Sequence, residues 1–84
     1  MKLFKTVDER FEEIGYEKIS EHQYQSVKYK RKLENGYSQT LTISYGFGGE
    51  HSTIKSIGQT NNAITVYEMK LCIKKIKQMG WKMK

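Results

Sequence analysis

Two segments of this chain carry the same punctuation. "TVDERFEEIGY" (residues 6–16) and "TVYEMKLCIKKIKQMGW" (residues 65–81) each open on Thr-Val-x-Glu and close on glycine followed by an aromatic. The opening is a capping box. The threonine oxygen accepts an orphan backbone N–H at the helix start, and the glutamate three positions on reaches back to the cap. The closing fits a helix that ends at a left-handed glycine, with the aromatic folding onto the last turn. The pair predicts helices over 7–14 and 66–79. Phe4, Val7, Phe11 and Ile14 recur at helical spacing, and so do Val66, Met69, Cys72, Ile73, Ile76 and Met79. Ile64, just ahead of the second cap, is placed to staple onto Met69.

Between the helices the hydrophobic period changes to two. Val27 and Tyr29 alternate with Lys28 and Lys30; Tyr37, Leu41, Ile43 and Tyr45 alternate with Ser38, Thr40, Thr42 and Ser44. Asn35-Gly36 is a hairpin turn signal. These patterns predict strands over 23–33, 37–46 and 51–57, and "YEKIS" (16–20) adds a short further strand. The fold class is therefore α+β: helix, a three- or four-stranded antiparallel meander, helix. The apolar surfaces must meet, so both helices belong on one face of the sheet. The other face, rich in Ser, Thr and Lys, meets water.

At 84 residues there is room for one domain. The N-terminus lacks the apolar run of a signal peptide. No stretch approaches the ~20 apolar residues of a membrane span. Cys72 is the only cysteine, which excludes an internal disulfide and a cysteine-based metal cluster. The expectation is a soluble, cytoplasmic protein that does not engage a membrane.

The stretch "SYGFGGEHS" (44–52) is the nearest thing to a chemical motif. A dinucleotide loop needs G-x-G-x-x-G between a parallel strand and a helix. Here the third glycine comes too early, at Gly49, and the following segment reads as a strand. No Gly-Lys-Ser/Thr exists for a P-loop. The glycines supply a turn between antiparallel strands, with Phe47 at its tip. His22 and His51 have no partners at ligand spacing, and Cys72 sits on an apolar stripe. We expect no catalytic, cofactor or metal residue and no enzyme.

Charge is the remaining signal. Fifteen Lys and Arg against nine Asp and Glu give a net charge of +6. Lys70, Lys74 and Lys77 follow i, i+4, i+7 and share one helix side. Lys28 and Lys30 belong to a second basic run, "KYKRK", whose charges split across the pleat. These five lysines are candidate polyanion contacts. Asp8, Glu9, Glu12 and Glu13 are assigned to the solvated face of the first helix. Glu9, Glu12 and Glu13, with Phe47, are candidate protein contacts. The helix–strands–helix order is similar to that of the double-stranded-RNA-binding domain. That family's "KKxA" helix start is absent, because this helix opens "TVYEMKLC". Unpaired sheet edges leave room for a homodimer.

"FEEIGYEKI" and "AITVYEMKLCIKKIKQMGW" resemble the two ends of small, uncharacterised proteins carried by phages and prophages of Gram-positive bacteria. The resemblance covers about a third of the chain, lies in helix signals, and brings no site residues with it. It implies an accessory protein of a mobile element. Together with the residue reading, it leads us to expect a small non-enzymatic binding protein acting on a host or phage macromolecule through a protein partner. A nucleic-acid-binding module using the basic last helix is the alternative.

Overall fold

A computed structural model describes residues 5–23, 25–33, 36–45, 52–58 and 63–81. The element order is α1 (Val7–Glu13), β1 (Tyr16–His22), β2 (Ser26–Lys32), β3 (Ser38–Tyr45), β4 (Ser52–Gly58) and α2 (Val66–Met79). The four strands form one antiparallel sheet in the order β1-β2-β3-β4. The α+β class, the meander and the terminal helices are as the sequence predicts.

Both capping boxes form. Glu9 N donates to Thr6 Oγ1 at 3.1 Å, and Thr6 N donates to Glu9 Oε1 at 3.2 Å. Glu68 N and Thr65 N make the equivalent bonds at 3.0 and 2.8 Å. Gly15 and Gly80 close the helices at φ 94° and 77°, conformations that cost a residue with a Cβ.

β3 and β4 lie within a residue of the expected bounds at each end, and two differences are larger. β1 is a full strand through His22 rather than a short one. Its alternation is hidden because the register shifts between Lys18 and Ser20, a bulge that leaves Ile19 out of step. β2 begins at Ser26 rather than 23, because Gln25 N donates to His22 O at 3.0 Å and closes the β1–β2 turn. Phe4, Tyr24, Asn35 and the 46–51 segment with Phe47 and His51 lie outside the described residues.

One face of the sheet carries the core. Cross-strand partners Val27↔Ile43 and Tyr29↔Leu41 are fully buried. Phe11 of α1 stacks on Tyr29 with ring centroids 4.1 Å apart and meets Tyr16 edge-on at 5.8 Å. Leu71, Cys72, Ile76 and Met79 of α2 complete the layer. The end of α2 is clasped to the β1–β2 turn: Trp81 Nε1 donates to Gln23 O at 2.6 Å, and Gln23 Nε2 donates to Met79 O at 2.9 Å. Both helices therefore sit on the same side of the sheet.

The stripe on α2 is the predicted one in part: Cys72, Ile76 and Met79 are buried as expected. Val66, Met69 and Ile73 are 73%, 44% and 36% exposed, while Leu71 is buried. Ile64 packs against the core, but Met69, its expected staple partner, stands in solvent. The buried positions are 68, 71, 72, 75, 76 and 79. That set has helical spacing once Glu68 and Lys75 are admitted to it. On β3, Tyr37 was expected on the core face and is partly exposed, while Gln39 takes the buried place.

Candidate binding surfaces

The buried charges belong to two networks that fix the helices to the sheet. Lys75 is 2% exposed and bonds Glu21 at 2.8 Å and Asp8 at 3.3 Å. Asp8 also accepts from Tyr29 Oη at 2.6 Å and Lys18 Nζ at 2.8 Å. Burial alone would raise the Asp8 pKa; the bonds from Lys18 and Tyr29 and the Lys75 charge outweigh it and hold the carboxyl below its ordinary value. Asp8 is thus not on a solvated helix face, as the sequence suggests, but part of a bridge between α1, α2 and the first two strands.

The second network centres on Glu68, 2% exposed. It caps α2, accepts from Tyr16 Oη at 2.6 Å, and lies 3.7 Å from Arg31 Nη2. Burial opposes its ionisation, but Tyr16, the Thr65 cap and Arg31 together keep its pKa low. Arg31 lies over the Tyr16 ring at 4.6 Å and donates to Gln39 Oε1 at 2.6 Å. Burial pushes the Cys72 thiol up to about 12, with the Glu68 charge adding to it. No group of His, Cys, Asp and Glu able to hold a metal ion occurs among the described residues. His22 is exposed at the end of β1.

The face away from the helices is laid out by register. Lys28 lies beside Thr42, which lies beside Lys55; Lys30, Thr40 and Ile57 make the next row; Lys32 pairs with Ser38, and Ser26 with Ser44 and Thr53. Lys28, Lys30, Lys32 and Lys55 are all exposed. Arg31 alone of the basic run turns to the core side. Successive lysines on β2 stand about 6.7 Å apart along the strand. A depression of about 260 Å³ opens here, lined by Gly15, Glu17, Ile19, Lys30 and Lys32. The sequence does not mark Lys55 as part of this patch, because only the β3–β4 register places it beside Lys28.

The other predicted positions separate. Lys70, Lys74 and Lys77 are exposed along the outer side of α2. Glu12 and Glu13 are exposed and Glu9 half-buried on α1; with Lys5, which pairs with Glu13, they line a shallow hollow of about 370 Å³. The structure thus presents an uncovered basic sheet face, a basic helix side and a mixed-charge helix surface. No described helix is long and apolar enough to cross a membrane. Comparison with protein-family models, curated proteins and solved structures finds no match for this chain.

Proposed function

We propose that this chain is a small non-enzymatic binding protein, an accessory protein of a phage or prophage acting on a macromolecule in the host cytoplasm. The observation that carries the reading is the one-sided sheet. Both helices cover the face of Val27, Tyr29, Leu41 and Ile43, and the opposite face is left to Lys28, Lys30, Lys32 and Lys55 among hydroxyls. Charged rows of one sign attract a partner of the other. The phage assignment rests on the resemblance of the two helix segments.

The test is affinity capture from host cells with the wild-type chain and with Lys28→Glu/Lys30→Glu. Both side chains are exposed, so the variant keeps the fold. A specific partner captured by the wild type and lost by the variant supports the reading. Identical capture by both chains overturns it.

Nucleic acid is the second reading, favoured by the exposure of Lys70, Lys74 and Lys77 along one side of α2. If each displaces one counterion from duplex DNA, the log–log salt slope is about −3. Lys70→Glu/Lys74→Glu/Lys77→Glu then abolishes binding. No shift of DNA or RNA at low salt removes this reading.

A further inference from the structure

The two edges of the sheet are built differently. β1 is defended. It carries the bulge between Lys18 and Ser20, and it turns the charged Lys18 and Glu21 inward to Asp8 and Lys75. Bulges and inward charges are the devices by which proteins keep other strands off an edge. β4, the last strand in the order, pairs with β3 in unbroken register from Gln39↔Gly58 to Tyr45↔Ser52.

The register also says which groups β4 turns outward. Leu33 N donates to Tyr37 O at 2.7 Å and Tyr45 N donates to Gln25 O at 2.8 Å. Those pairs are in phase with Val27↔Ile43, so the odd residues of β3 bond β2 and the even ones bond β4. Thr53, Lys55 and Ile57 therefore direct their backbone groups to β3. Ile54 and Ser56 direct theirs away from it.

The helical layer stops short of this edge. Val27, Tyr29, Leu41 and Ile43 on the core side of β2 and β3 are fully buried, but Ile54 and Ser56 are only half-buried. α2 also offers apolar surface that the core does not use: Met69 and Ile73 are exposed. Lys75 marks the side of α2 that faces α1, since it bonds Asp8. Ile73, two residues earlier, points about 160° away from Lys75, and Met69 about 120° away. Both stand exposed on the flank turned from α1, which is the flank toward β3 and β4.

We infer that the β4 edge and the Met69–Ile73 flank of α2 form a docking site for an extended segment of a partner protein, added as a fifth strand with acidic side chains outward and apolar ones inward. Main-chain bonds to Ile54 and Ser56 hold the segment. Its inward side chains continue the row of Ile54 beneath Met69 and Ile73. Its outward side chains lie beside Lys55, the β4 end of the row that runs from Lys28 through Thr42, which makes acids the complementary choice. A second copy of this chain fits less well. Two β4 strands paired about their centres would set Lys55 against Lys55, and like charges directly opposite are unfavourable. The inference rests on the reading of the chain as a binding protein and names the chemistry of its partner.

The probe is a short synthetic peptide in which glutamate and valine alternate. The controls are a lysine–valine version and a block sequence of the same composition as the probe. Amide exchange is followed residue by residue. With the probe at millimolar concentration, exchange at Ile54 and Ser56 slows about tenfold, and the controls have no effect. Met69→Lys/Ile73→Lys abolishes the protection. Lys55→Glu moves the preference from the glutamate to the lysine peptide. Ile54→Pro removes an outward N–H without touching the β3 ladder and also ends it. No protection in the wild type, or equal protection by the lysine peptide, overturns the inference. Protection that appears without peptide and grows with protein concentration assigns the edge to a second copy and overturns it too. If the peptide fails while Lys28→Glu/Lys30→Glu still loses its captured partner, the edge inference falls and the binding reading stands.

Discussion

Lys75 sits where a lysine is least expected, inside the helix–sheet interface with Asp8 and Glu21 as its neutralising partners. Removing it leaves Asp8 and Glu21 with the half-exposed Lys18 as their shared cation beside a buried surface. Lys75→Ala should lower stability by about 2–3 kcal/mol, less than for a fully dry pair because Asp8 and Glu21 keep part of their hydration; the urea midpoint measures it. The same cluster sets the response to acid. Asp8, Glu21 and Glu68 all have folded pKa values below their ordinary ones. Their contribution is complete above about pH 5 and is lost as pH falls through the lowered values. Urea midpoints should therefore hold from neutral pH to about 5 and drop below about 4, and Asp8→Asn should flatten that drop. None of this is legible from charge alone. Asp8 reads as one of four acids in a first helix and Lys75 as one of several lysines in a last. Only the bulge that turns Glu21 inward brings the three together.

The elements, by contrast, are written plainly at their ends. Thr6, Glu9, Thr65 and Glu68 make the caps that their spacing announces. Thr65→Ala should cost about 1 kcal/mol, read in the same urea titration. Gly15→Ala should cost about 1–2 kcal/mol for its positive φ, and the added Cβ would also stand 3.3 Å from Arg31 Cδ. What the pattern hides is which apolar face of α2 is used. Met69 and Ile73 on one side and Leu71 on the other are equally apolar. The fold resolves the ambiguity with Glu68 and Lys75, polar residues whose partners lie on other elements. Gln39 is a similar case: it is buried because Arg31, Ser56 and Ala63 satisfy its amide. Periodicity that counts only hydrophobic residues misses all three. The open face was legible in outline, as a Ser/Thr/Lys alternation. Its row of Lys28, Thr42 and Lys55 needed the strand register, which no single segment contains.

For the molecule as a whole, the buried thiol is a probe of global opening. Cys72 is fully enclosed, and its pKa of about 12 leaves almost no thiolate at neutral pH. A thiol reagent should modify it only when α2 leaves the sheet, at a rate that rises with urea in step with unfolding. Rapid labelling in the native state would contradict the packing described.

The clasp of Trp81 on Gln23 bears on how the chain assembles in time. The strands join in sequence order, each hairpin closing between neighbours. The bonds that seat α2 reach back 52 positions to Tyr16, 56 and 58 to Gln23, and 67 to Asp8. Long closures come late, because their entropy must be met before their contacts help. The meander should form first and α2 should dock last. Leu71→Ala would then speed unfolding and leave the folding rate nearly unchanged, while Val27→Ala would slow folding. Until α2 arrives, Val27, Tyr29, Leu41 and Ile43 form an open apolar floor, and the nascent sheet in that interval is a substrate for chaperones and proteases.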